Sequence, residues 1–389
     1  MSDSPRVGSA LIVGTGLIGT SLALVLRQRG VTIHLRDRDP GAVTTAVARG
    51  AGVAGDPDRD PDVVVVSAPP RVTPALVRSA LREFPTSIVM DVSSVKSRVV
   101  ATGSGTPAGE AVLEAAEASR LVGSHPLAGR EVSGPEAADV DLFLDRIWVL
   151  TPTGETSPEA LAVAREVVRL SGAVPIELDP AAHDHAVALT SHAPQVLASL
   201  MAARLTAARD EDVLLSGQGL RDVCRIAGSD PQLWEEILQA NAGRVADVLD
   251  EVRVDLESVV AGLRGLESRP DDAQAAVDTA TLRDVLERGR EGHGRIPGKH
   301  GIRTSAFSVV RVVVEDEPGA LGRLFVAAGG AGINLEDVRI EHAFGRPTGL
   351  VELSVAHGRA DELRRALSEH GHLVSGGAVT TGGPACLVR

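Results

Sequence analysis

Six residues near the start of the chain, Gly14-Thr15-Gly16-Leu17-Ile18-Gly19, constrain its fold more than any other segment. They stand between an apolar β-branched run, SALIV from Ser9, and an apolar helical stretch, SLALVLRQRG. Glycines at this spacing permit a tight turn, close approach of backbone to a pyrophosphate, and close packing of helix on strand. The helix N-terminus then attracts the phosphate charge. An acid, Asp37, closes the second β-run eighteen residues after Gly19. It is placed to accept hydrogen bonds from a ribose 2′-hydroxyl, which favours NAD, while Arg36 and Arg38 on either side leave a 2′-phosphate as the alternative.

From Ser9 to about Asp179 short β-branched runs alternate with helical stretches: SALIV, VTIHL, VVVVS, SIVMDV, LVGSH, RIWVL and VPIEL. This predicts a parallel sheet wound with helices, an α/β Rossmann-type dinucleotide-binding domain over residues 6–179. The runs are nearly continuous in apolar character, as expected of strands covered on both faces. After Pro180 the strand signals stop, and helical periodicity predicts an all-α domain over 180–291. A helical domain this small has more apolar surface than it can bury alone, so a homodimer is expected. A Gly-rich basic stretch, residues 292–305, reads as a linker. From residue 306 to 389 the order strand, helix, strand, strand, helix, strand predicts a ferredoxin-like module.

Composition narrows the chemistry. The chain has no tyrosine, five Phe and two Trp, which excludes a phenolic acid in the mechanism and leaves the core to Ala, Val and Leu. The 39 Lys and Arg against 52 Asp and Glu give a net charge of −13, so no nucleic-acid partner is expected. Cys224 and Cys386 have neither metal-ligand spacing nor disulfide density, which points to a reducing cytoplasm and to no metal; Cys224 reads as a small buried hydrophobe. No signal peptide is evident. The longest uncharged run, Ala186 to Ala203, is interrupted by His192, Pro194 and Gln195, and reads as a buried helix with no membrane partner.

Three further strand ends face the same edge of the expected sheet, where an open α/β fold binds its ligands. Ser67-Ala68-Pro69-Pro70 is small enough for backbone to approach a dinucleotide. Asp91-Val92-Ser93-Ser94-Val95-Lys96 and Gly123-Ser124-His125-Pro126-Leu127-Ala128-Gly129 follow the next two strands. A histidine there can take a proton from a hydroxyl as the carbon beneath it gives up hydride, which nominates His125. Ser94 reads equally as a substrate contact or as the N-cap of a helix beginning near Val95. In the helical region His192 lies mid-helix, a position that also suits core packing. Asp222 and Arg225, three apart, could align a guanidinium for bidentate capture of a carboxylate, or form an interhelical salt bridge.

Together, GTGLIGTSLA, DVSSVK, GSHPLAG, HDHAVALTSH and CRIAGSDPQLW resemble the prephenate/arogenate dehydrogenases of tyrosine biosynthesis, over about residues 9–290. The tail, with Asp316-Glu317-Pro318-Gly319-Ala320-Leu321 and Gly332-Ile333-Asn334, is similar to ACT amino-acid-sensing domains, and Ile296-Pro297-Gly298-Lys299-His300-Gly301 to the linker that joins the two parts. The resemblance implies His125 as catalytic histidine and Ser94 as the serine bonded to the same substrate hydroxyl. It implies Arg225 on the ring carboxylate, His192 and Trp234 shaping the substrate pocket, and Glu131 at its mouth. It further implies NAD held by Gly14, Thr15, Gly16, Leu17, Ile18, Gly19, Asp37, Ser67, Ala68 and Pro69, and L-tyrosine as effector at Gly319 and Asn334. Gln195 departs from the pattern, because many members carry a second histidine there; this bears on prephenate against arogenate. The stretch from Gly103 to Ser119 reads as an entry loop and helix. The activity implied is NAD-dependent oxidative decarboxylation of prephenate to 4-hydroxyphenylpyruvate, feedback-inhibited by L-tyrosine; the alternatives are arogenate dehydrogenase or a dual-specificity cyclohexadienyl dehydrogenase, another NAD-linked hydroxyacid or imine dehydrogenase, and a non-catalytic amino-acid sensor.

Overall fold

The computed structural model describes residues 6–99, 113–130, 132–268, 273–296, 307–342 and 347–375. It divides into two compact units, Met1–Arg253 and Val254–Arg389. In the first unit β1 (Ser9–Val13), α1 (Leu17–Gln28), β2 (Thr32–Arg36), α2 (Pro40–Ala48), β3 (Val53–Ala54), β4 (Val63–Val66), α3 (Thr73–Glu83), β5 (Ile88–Asp91), α4 (Ala115–Ala118) and β6 (Leu121–Pro126) follow in order. β7 (Ile147–Thr151), α5 (Pro158–Leu170) and β8 (Val174–Glu177) complete one eight-stranded sheet ordered β3-β2-β1-β4-β5-β6-β7-β8. Adjacent residues of a strand feed opposite layers. Ala10 and Ile12 pack with Leu22 of α1 and Val167 of α5, and Leu11 and Val13 with Val77 and Leu81 of α3.

The sheet and the loop after β5 differ from expectation. The sheet is parallel only through β6: β7 runs antiparallel to β6, and β8 parallel to β7. Among its described residues the β6–β7 connection contains a single 3₁₀ turn, Pro135–Ala137, and lacks the crossover helix that a parallel return needs. Among the described residues no helix begins near Val95; residues 97–99 form a turn, and the one described helix of the following stretch is the four-residue α4. β3 was not anticipated, being only two residues long and hemmed by Gly52 and Gly55.

The helical part runs through α6 (Pro180–Val187), a π turn (Ala188–His192), α7 (Ala193–Arg204), α8 (Asp210–Val213), α9 (Gln218–Cys224), α10 (Pro231–Ala240), α11 (Ala242–Ser268) and α12 (Ala273–His293). Pro194 has no N–H for the Thr190 carbonyl, and the backbone widens into the π turn just before it. The segment Pro180–Ala207 is long and apolar enough to cross a membrane by length and composition alone. It is not the buried helix expected: Leu189 is 55% exposed, Leu200 56% and Met201 43%. Cys224 is partly exposed, not buried.

Within the second unit, β9 (Phe307–Glu315), α13 (Ala320–Gly330), β10 (Asp337–His342), β11 (Thr348–Ala356), α14 (Ala360–Glu369) and β12 (Leu373–Ser375) form a four-stranded antiparallel sheet ordered β10-β11-β9-β12. This is the expected ferredoxin-like order, with Val310, Val312, Val351 and Leu353 packed against Leu324 of α13 and Leu363 of α14.

Candidate active site

The carboxyl edge of the parallel strands gathers the glycine turn after β1, Asp37 after β2, Ser67 after β4, the Asp91 loop after β5 and His125 near the end of β6. The three glycines have different reasons. Gly14 has φ +104°, and a Cβ on it would lie 1.9 Å from the Ser67 carbonyl oxygen; a Cβ on Gly19 would lie 1.9 Å from the Gly14 oxygen. Gly16 would meet nothing within 4 Å, so its missing side chain leaves open space in front of the α1 N-terminus. An open glycine backed by two that pack backbone on backbone fits the cradle of a pyrophosphate. The Asp37 carboxylate accepts from Thr15 N at 2.6 Å and Thr15 Oγ1 at 3.1 Å, tying the turn to the end of β2. Arg36 is engaged elsewhere: its guanidinium spans both Glu83 oxygens, at 2.8 and 2.6 Å, and Asp56. Gly14→Ala is therefore expected to cost about 1–3 kcal/mol of stability. Gly16→Ala should leave the unfolding midpoint unchanged but weaken NAD binding, as read by urea unfolding and calorimetry of the two variants.

His125, partly buried, places Nδ1 3.0 Å from Nε2 of His183, and His183 Nδ1 lies 2.9 Å from Oδ1 of Asp184. Asp184 also accepts the backbone N–H groups of Lys96 (2.8 Å) and Ser97 (2.8 Å), and its own carbonyl accepts from Asn241 Nδ2 (2.8 Å). Asn241 Nδ2 lies 3.2 Å from His192 Nδ1, and the His192 ring meets Trp234 edge-on at 6.0 Å between centroids. One polar chain thus links the sheet edge to the helical region. Beside His125 a second network is closed to solvent. The fully buried Lys96 ammonium contacts the Asp91 carboxylate, Ser93 Oγ at 3.2 Å and the Ser124 carbonyl at 2.6 Å. Ser124 Oγ donates to the Asp91 carbonyl at 2.6 Å and accepts from Trp148 Nε1 at 3.0 Å.

These surroundings set the charge states. Burial, then the positive potential of His183, Lys96 and His192, holds His125 well below 6.5, with Asp184 opposing. Burial likewise brings His192 to about 4, Asp184 acting against it and His183 with it. For Asp184 burial pushes upward, but hydrogen bonds from His183, Ser97 and Lys96 outweigh it and keep the carboxyl below its ordinary range. Burial lowers Lys96 despite Asp91 and Asp184. The result is a neutral imidazole base at a sheet edge that fits a dinucleotide.

Comparison with known proteins agrees with this chemistry. Residues 22–177 match the model of the prephenate dehydrogenase nucleotide-binding domain, and 179–272 that of the prephenate dehydrogenase dimerization domain. The chain belongs to the prephenate dehydrogenase family. It is 37% identical over 361 residues to "Probable prephenate dehydrogenase NovF" of Streptomyces niveus, covering 92% of this chain and 97% of that one. Among solved structures it is similar to prephenate dehydrogenase from Aquifex aeolicus in complex with hydroxyphenyl propionate and NAD+ (TM-score 0.61, 28% identity, 74% of this chain and 99% of that). It is also similar to Synechocystis arogenate dehydrogenase (TM-score 0.55, 29% identity, 72% and 99%).

Against that family, the residues singled out from sequence fall as follows. The glycine turn, Asp37, Ser67, Ser94 and His125 share one edge of the sheet, with Ser94 in the loop that follows β5. Trp234 lines a cavity of about 520 Å³ with Gln195, Leu200, Ala227, Ser229 and Leu238. Gln195 is 5% exposed. Arg225 opens the 3₁₀ turn Arg225–Gly228 after α9 and is exposed, while Asp222 accepts from Gln218 Nε2 at 2.8 Å. Glu131 lies outside the described residues, as do Gly103 to Ala111 and the linker beyond Ile296. Sequence reasoning assigned no role to Lys96, His183, Asp184 or Asn241. Their signal was faint: a lysine close after a buried strand, and a His-Asp pair opening an otherwise apolar helix.

Proposed function

We propose that the protein oxidises prephenate with NAD+ to 4-hydroxyphenylpyruvate and CO2. The observation that carries this reading is a neutral His125 at the carboxyl edge of the sheet that forms the glycine cradle, in a chain of this family. NAD+, when bound against the glycine turn with its ribose on Asp37, supplies the acceptor for the hydride from the carbinol carbon. His125 takes the hydroxyl proton and, once the ring carboxylate has left as CO2, returns it to the phenolate oxygen. Ser94 donates to the same hydroxyl oxygen. Arg225 holds the ring carboxylate in a bidentate clamp, with His192 and Trp234 flanking the ring. The test is NADH formation by the purified protein from prephenate and from arogenate at equal concentration, with NAD+ and with NADP+. Turnover of prephenate with NAD+ is expected; no turnover of either substrate overturns the reading. The engagement of Arg36 by Glu83 and Asp56 supports NAD over NADP.

Arogenate is the second reading, favoured by Gln195 in the cavity beside Trp234 in place of a second histidine. It predicts faster turnover of arogenate in the same assay. Arg225→Ala is expected to raise KM for the substrate at least 10-fold with a smaller change in kcat, as loss of a charge-assisted contact made in both ground and transition states; steady-state kinetics decide it.

The exposed Leu189, Leu200 and Met201 support a homodimer through the helical region. In the second unit, L-tyrosine is the proposed effector, and the unit is read as an ACT module. Gly319, at φ +86°, opens the N-terminus of α13, and Asn334, whose amide donates to Glu336 at 2.7 Å, follows the turn at Gly332. Tyrosine should bind the full-length protein by calorimetry and lower turnover. Neither effect being seen removes this part of the reading.

A further inference from the structure

We infer that His183 and Asp184 are positioning residues that lock the resting His125 ring as the Nδ1–H tautomer, leaving Nε2 as the base. The inference rests on the dehydrogenase reading above, but its primary test needs no substrate. It follows from donor and acceptor bookkeeping along one buried chain. Asp184 Oδ1 receives the Lys96 N–H and Oδ2 the Ser97 N–H, each at 2.8 Å, so both oxygens act as acceptors. An oxygen so employed, 2.9 Å from His183 Nδ1, requires that this nitrogen carry the hydrogen. His183 is 1% exposed, and in its neutral form Nε2 is then a lone pair. That lone pair faces His125 Nδ1 at 3.0 Å, so His125 Nδ1 donates, and the only basic nitrogen left on His125 is Nε2.

The alternatives are chemically distinct. A cationic His183 would donate from Nε2 to His125 Nδ1, and a neutral His125 would then hold its hydrogen on Nε2, where it cannot take a proton. With the lock in place, the imidazolium formed during turnover keeps its Nδ1–H on His183, which is backed by the Asp184 carboxylate. This division of labour, a base oriented by a second group that a carboxylate orients in turn, costs about 10⁴-fold in kcat when the wrong tautomer is imposed in a serine protease triad. Groups that bear on His125 from the other packed elements are Lys96 beyond β5 and His192 in the π turn; both disfavour its protonation but neither selects a tautomer.

The experiment is ¹⁵N NMR of histidine-labelled, substrate-free protein, which distinguishes the two tautomers of His125 by their ring-nitrogen shifts, with assignment by His125→Asn. The expected resting state is Nδ1–H; a resting Nε2–H form overturns the inference whatever the substrate proves to be. In His183→Leu the tautomers should mix and kcat fall about 100-fold with KM changed less than 3-fold. His183→Gln, whose side-chain oxygen still accepts from Nδ1–H, should restore the tautomer and recover at least 10-fold of that loss. A packing role alone predicts that leucine leaves the tautomer and the pH profile unchanged, which would also overturn the inference. Absence of prephenate turnover with an intact Nδ1–H form would instead count against the dehydrogenase reading.

Discussion

Replacing His125 by asparagine is expected to lower kcat for NADH formation about 10³-fold while leaving substrate Kd within a few-fold of the parent. The amide keeps the polarity and approximate size of the ring but cannot accept a proton at neutral pH. The loss therefore falls on a step made only in the transition state. Because burial and the neighbouring His183, Lys96 and His192 hold His125 well below 6.5, the parent should keep its base form under mildly acid conditions. The acid limb of kcat/KM, which reports the free enzyme, is then expected below pH 6.5, and the limb should vanish from the residual activity of the variant. Steady-state kinetics across pH with prephenate decide it, and unchanged turnover in the asparagine variant would remove His125 from the mechanism.

The second large effect is expected at Lys96, where methionine should cost about 3–5 kcal/mol of unfolding free energy. The ammonium is fully buried and ion-paired with the fully buried Asp91. Its removal leaves a buried carboxylate facing the Ser93 and Ser124 groups without its cation. Both tryptophans of the chain lie in the first unit, and Trp148 donates into this network through Ser124, so urea unfolding followed by tryptophan fluorescence reads the affected region. A second substitution, Asp91→Asn on the Lys96→Met background, should recover part of the loss, since it removes the orphaned charge. An unchanged midpoint in Lys96→Met would show that the pair contributes nothing net.

Much of the dinucleotide half could be read from local pattern. The glycine turn, Asp37 and the small residues after Val66 are close in sequence to the strands that place them, and strand order then follows from short connections and right-handed crossovers. The reversal of β7 escaped because direction is set by the connection, and the chain from Leu127 to Arg146 has composition but no period to read. The exposed face of α7 escaped for a different reason. An apolar run has the same composition whether it is covered by its own chain or by another, and only the surrounding elements distinguish the two.

Residue identity alone placed a histidine, His125, at the end of a strand on the edge where an open α/β sheet binds its ligands, and excluded a phenolic acid beside it. It also determined the cofactor class, because glycines at that spacing between a strand and a helix, with an acid closing the next strand, are the local pattern of a dinucleotide cradle. What only the tertiary structure decided is the set of neighbours that holds that histidine neutral. His183, Asp184 and Lys96 act on it from 58, 59 and 29 positions away. Their effect depends on burial and on 3 Å contacts that no local spacing encodes. Hydrogen-bond direction and desolvation belong to neighbours in space, and the docking of α6 on the loop that follows β5, through Lys96 and Ser97, brings those neighbours together.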